Sequence, residues 1–281
     1  MASAASIDPG AVHAPYVDTH AHLQWPTLMA EASAVVVRAT ENGVGRILTL
    51  GTDVETSKKA VDLAAEHEIV YAAVGIHPSD APTEKGDRER ALAEIADLLA
   101  SPHVVAVGEA GLDYYHADNP PRDAQVKTFT AQLELAAYTG KPLCIHNREA
   151  TTDVMALLDE WADRCTLILH CFMGDLSLAQ HALDVGCYIS LAGNCTYPKL
   201  KSLLDVGASL PADRILLETD APFLAPQPRR GGRNEPSYVV LTYAAVAQAR
   251  GVAPEVLAQE IAVNAARVFG WSLDHVRGSA T

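Results

Sequence analysis

The chain has 281 residues, 49% of them hydrophobic and 20% charged, with a formal net charge of −14. That length suits one large α/β domain, and the apolar share excludes wholesale disorder. So acidic a molecule repels long polyanions, which argues against a duplex-wrapping protein but not against an enzyme that engages a few phosphates locally.

Residues 1–14 are small and, apart from Asp8, uncharged. With no basic stretch and no apolar stretch they read as a flexible tail, not a signal peptide, leaving 15–281 as one domain. No apolar run reaches the roughly 18 residues of a membrane span, so no membrane partner is expected. The five cysteines are odd in number and form no C-x-x-C pair. That predicts reduced thiols in a cytoplasmic protein.

Eight short β-rich runs follow, at 16–19, 46–50, 69–75, 104–108, 142–145, 166–169, 187–191 and 214–217. Gly, Pro or charged residues bound most of them, as expected for strands buried on both faces. Helical spacing lies between many of them. Residues 87–100 carry Leu92, Ile95 and Leu99 on one face; 123–139 carry Val126, Phe129, Leu133 and Ala137; 150–161 carry Val154, Leu157, Leu158 and Trp161. Two more helices are predicted at 237–249 and 254–268, with Ser237 as an N-cap and Gly251 as a stop. The stretch 221–236, rich in Pro and Arg, is the one long irregular loop. The alternation predicts a parallel sheet closed into a single (β/α)8 TIM barrel, whose active face lies at the C-terminal strand ends.

His, Asp and Glu residues gather at those ends. His20 and His22 follow the first strand, Glu109 the fourth, His146 the fifth, His170 the sixth, and Glu218 and Asp220 the eighth. Two histidines two apart on an extended strand face one side. Parallel strands bring all these ends to one rim, where they form a ligand set for two divalent ions. Without cysteine the set suits Zn²⁺ or Mn²⁺, and Mg²⁺ if water completes the shell. Cys171 is expected to face away, because adjacent strand residues alternate.

Strand order assigns His20 and His22 to one ion and His146 and His170 to the other. Glu109 bridges them, and Asp220 completes the first ion and accepts a proton from the attacking water. Two ions about 3.5–4 Å apart would activate that water and steady the leaving oxygen. Glu218 is expected to hydrogen-bond a ligand or shape the strand end. His77, in GIHP, and Arg148 suit phosphate, and Tyr114 and Tyr115 suit either a stacked base or the packing of the rim. Arg229, Arg230 and Arg233 read equally well as phosphate ligands or as a solvated loop.

The stretches DTHAHL (18–23), GIHP (75–78), GEAGLDYY (108–115), PLCIHNREA (142–150), LHCFMG (169–174), ETDAPFLAPQPRRGGRNEPSYV (218–239) and NAARVFG (264–270) together resemble the TatD family of metal-dependent deoxyribonucleases. The resemblance spans nearly the whole chain. It implies a TIM barrel with one or two divalent ions, and metal roles for His20, His22, Glu109, His146, His170 and Asp220. The implied activity is 3′–5′ exonuclease action on single-stranded DNA ends, with RNA as a further substrate; no protein partner is implied. The alternative is hydrolysis of D-aminoacyl-tRNA, or of small esters and amides, at the same site. Asn147 stands where the family more often has Ser, and Met173 where it more often has Thr. LAGNCTYPK at 191–199 also differs from a commoner serine-containing loop. None of these changes removes a ligand. Glu109 argues against the amidohydrolase branch that uses a carbamylated Lys at this strand end.

Overall fold

The structure, a computed structural model, describes residues 16–272. The expected flexible tail lies outside the described residues. Eight parallel strands run in sequence order: β1 (Tyr16–Ala21), β2 (Val44–Leu50), β3 (Val70–Val74), β4 (Val104–Asp113), β5 (Leu143–Arg148), β6 (Leu167–Leu169), β7 (Tyr188–Leu191) and β8 (Ile215–Leu217). Helices cover the sheet from outside: α1 (Pro26–Met29), α2 (Ala32–Glu41), α3 (Val54–Glu66), α4 (Lys85–Leu98), α5 (Arg122–Thr139), α6 (Thr151–Trp161), α7 (Leu176–Asp184), α8 (Ser202–Ser209), α9 (Val239–Arg250) and α10 (Pro254–Phe269). This is the (β/α)8 barrel that the alternation predicts. No helix among the described residues is long and apolar enough to cross a membrane, and all five cysteines are free thiols.

The barrel closes between β1 and β8 through a single bridge, Ala21 to Ala221. Side chains stitch the rest of that seam. Thr19 donates to the Leu217 carbonyl at 3.0 Å. Buried Asp18 accepts from the Thr219 amide at 2.9 Å and the Thr219 hydroxyl at 2.6 Å. Burial pushes the Asp18 carboxyl up to about 8.

Three strands outlast their apolar runs. β1 runs on to Ala21, β4 to Asp113 and β5 to Arg148, so His20, Glu109 and His146 sit within strands and not just beyond them. The extension of β4 depends on Gly111. Its φ is +149°, and a Cβ there would overlap the His146 carbonyl on the neighbouring strand. Ser237 is not the N-cap of α9. It lies in a short 3-10 turn, where its hydroxyl donates to Glu235 at 2.5 Å, and the helix begins two residues later. Gly251 does end α9, in a left-handed conformation with φ 68°.

Candidate metal centre

His20, His22, Glu109, His146, His170 and Asp220 meet at the C-terminal rim. Their donor atoms form overlapping groups, His20–His22–Asp220 and His20–Glu109–His170, with His77–Glu109–His146 beside them. Glu109 lies between two pairs of imidazoles. Its Oε2 is 3.5 Å from His20 Nε2 and 3.4 Å from His22 Nε2. Its Oε1 is 2.9 Å from His146 Nδ1 and 2.8 Å from His170 Nε2. Asp220 Oδ1 approaches His22 Nε2 at 3.4 Å and His20 Nε2 at 3.9 Å.

The far side of several rings fixes which nitrogen faces the cluster. His22 Nδ1 donates to the Leu50 carbonyl at 2.9 Å, so its neutral ring points a lone pair inward from Nε2. His170 Nδ1 lies 3.2 Å from Glu218 Oε1 and donates there. Glu218 is itself held by the Ser190 hydroxyl at 2.5 Å and the Cys171 amide at 2.9 Å. His146 presents Nδ1 to Glu109 and turns Nε2 to Asp113 Oδ2 at 3.4 Å. Asp113 also accepts from the Tyr115 amide at 2.9 Å and pairs with His116 at 2.9 Å.

Lone pairs therefore converge on carboxylate oxygens inside a buried cluster. Two acceptors at such distances repel unless a proton or a cation lies between them. The titration tendencies show the same demand. Burial alone would raise Glu109, yet His170, His77 and His146 hold it well below the usual carboxylate range. Burial would lower His170, and Glu109 drives it well above its ordinary value. A divalent cation meets that demand without protons, and N/O donors backed by outer carboxylates fit one.

The cluster opens into a cleft of about 1210 Å³. His77 and Arg148 both line it. The Ser79 amide donates to His77 Nδ1 at 3.1 Å, leaving the proton on Nε2, which is 3.7 Å from Glu109 Oε1. Burial pushes this ring down to about 3, so it is a neutral donor. Tyr114 is not brought to the cleft: its hydroxyl donates to Asp153 on α6 at 2.7 Å and Arg122 covers its ring. Tyr115 lines the cleft instead, under the Arg148 guanidinium at 4.2 Å.

Of the loop arginines, Arg233 pairs with Glu31 at 2.6 Å, and Arg229 and Arg230 lie over Tyr238 and Tyr197. Cys171 does not face away. β6 ends at Leu169, strand alternation no longer applies, and Cys171 lines the cleft with a φ of 43°. Asp113, Trp25 and Phe223 were not singled out by sequence; Asp113 had a signal in its place four residues after Glu109 on one strand.

Barrel and cluster together define a class, the metal-dependent barrel hydrolases. The sequence profile described as TatD related DNase matches residues 17–270, and the chain belongs to that family. It is 40% identical to the uncharacterised metal-dependent hydrolase YabD of Bacillus subtilis, over 90% of this chain and 98% of that one. It is 36% identical to the 3′-5′ ssDNA/RNA exonuclease TatD of Enterobacter lignolyticus, again over 90% and 98%. The crystal structure of the TatD homologue YjjV from Escherichia coli superposes with a TM-score of 0.85 at 30% identity, covering 92% of this chain and 98% of that one.

Proposed function

We propose that this protein is a divalent-metal-dependent exonuclease that hydrolyses phosphodiester bonds at the 3′ ends of single-stranded DNA, and of RNA. The observation that carries the reading is Glu109, whose two oxygens face two different histidine pairs. That suits two ions, Mg²⁺, Mn²⁺ or Zn²⁺: His20, His22 and Asp220 would hold one, His146 and His170 the other, and Glu109 would serve both. Bound divalent ions supply charge to the phosphoryl oxygens and lower the pKa of water.

The remaining roles belong to the chain. Burial would raise Asp220, but His22 and His20 keep it low. It stays ionised and can take the proton of the attacking water. His77 Nε2–H donates to a phosphate oxygen, and Arg148 offers that phosphate a permanent charge. The names carried by the exonuclease relatives support this substrate class.

The test is release of nucleotide from 3′-labelled single-stranded DNA with Mg²⁺ or Mn²⁺. Asp220→Asn should lower turnover about 10²–10⁴-fold, the usual worth of a proton acceptor. Equal background release by wild type and Asp220→Ala contradicts the reading.

One observation favours a second reading, hydrolysis of a small ester or amide that carries no polyanion. Asp53, Asp80, Asp118 and Glu149 line the cleft beside the ligand carboxylates, and Arg148 is the single Arg or Lys among its lining residues. Comparing those substrates with DNA on one metal-loaded preparation separates the two.

A further inference from the structure

Two aromatic rings stand at the edge of the cluster and offer it no ligand atom. Trp25 and Phe223 both line the cleft. Their centroids are 5.1 Å apart at 73°, edge to face. His22 packs against both, at 6.5 Å from Trp25 and 6.2 Å from Phe223.

The backbone registers each ring on a ligand. The Trp25 amide donates to the His22 carbonyl at 3.0 Å, and the Phe223 amide to the Asp220 carbonyl at 2.8 Å. Each aromatic thus closes a tight turn that begins at a ligand residue, one on the β1 loop and one on the β8 loop. Phe223 nevertheless remains 42% exposed. Burying a phenyl ring is ordinarily favourable, so a fixed ring left open at a reaction site is suited to cover a ligand's apolar face.

We propose that the Trp25–Phe223 pair is the platform on which the base of the substrate's terminal nucleotide stacks. The inference rests on the nuclease reading above. The rings flank the His20–His22–Asp220 side of the cluster. Tyr115 lies under Arg148, two residues past His146 on β5, on the other side. A strand lying across the site has an aromatic surface on each side of the bond to be cut. Stacking accepts any base, because every base offers a π-face, and it needs no attractive field from this acidic cleft.

Trp25 also reports its own occupancy. The chain has three tryptophans, and Trp161 and Trp271 are only 6% and 4% exposed. The experiment uses Mg²⁺-loaded protein and a short single-stranded oligonucleotide with a phosphorothioate at its terminal linkage, which slows cleavage. A second oligonucleotide has an abasic terminal residue. The normal end should quench tryptophan emission and the abasic end should not, and Trp25→Phe should lose the response. On cleavable oligonucleotides, Phe223→Ala should raise KM for the normal end about 10- to 100-fold more than for the abasic end.

The outcomes separate the two claims. Hydrolysis of both ends with equal KM and no quenching overturns the platform and leaves the nuclease reading standing. Quenching without hydrolysis supports the platform and overturns the nuclease reading. Quenching by an aminoacyl ester but by neither oligonucleotide overturns the platform.

Discussion

Two inward-facing imidazole nitrogens are set by what lies behind their rings: Leu50 fixes His22 and Glu218 fixes His170. Asp113 approaches the back of His146 at 3.4 Å, and His20 Nδ1 has no hydrogen-bond partner. Glu218→Gln keeps the shape but removes the charge that orients and enriches His170. Metal affinity should fall about 10–100-fold, read by titration calorimetry, with the circular dichroism of the barrel unchanged. Unaltered affinity would deny Glu218 that positioning role. The ligands were legible in sequence because each stands where an apolar run ends. Ser190 as the support of Glu218 was not, since the two meet only across neighbouring strands. Tyr114 and Tyr115 show a different limit: side-chain parity from Glu109 picks Tyr115, the ring that lines the cleft, but β4 ends at Asp113 and the strand that carries parity stops short of both.

At the scale of elements, the weak point is the seam between β1 and β8. The fully buried Tyr243 on α9 braces it from outside: its hydroxyl donates to the Val17 carbonyl at 3.0 Å and receives the Val17 amide at 3.3 Å. Tyr243→Phe leaves both groups of β1 unpaired and should cost about 1–3 kcal/mol, measured by urea unfolding. A second brace ties α2 to the loop before α9, where Arg38 pairs with Glu235 at 2.7 Å. Burial would raise Glu235, but Arg38 and Ser237 hold it below the usual glutamate range. Its folded-state pKa is depressed, so its contribution is full above the unfolded value and lost as pH falls through the folded one. Arg38→Met should therefore lower Tm at neutral pH and narrow the difference from wild type in acid, below about pH 4. The strands themselves were legible as short apolar runs. The extra lengths of β1, β4 and β5 were not, because backbone pairing continues through polar ligand residues that hydrophobicity reads as strand ends.

For the whole molecule, charge is the governing fact. A net charge of −14 and a cleft with one guanidinium among its lining residues give no long-range pull on a nucleic acid. A basic nuclease loses affinity steeply as salt rises, through counterion release. Here the KM for a short oligonucleotide should stay level or fall between 50 and 200 mM salt (about a Debye-length change from 14 to 7 Å), as repulsion is screened. A steep rise would mean that a basic path across the surface carries the substrate. On the proposed reading Glu109 would join two metal positions at one rim, and anomalous scattering from crystals soaked in Mn²⁺ decides it. Two peaks should flank the Glu109 carboxylate, one beside His20, His22 and Asp220, the other beside His146 and His170. A single peak, or peaks that leave Glu109 uncoordinated, would rule out a shared two-ion site.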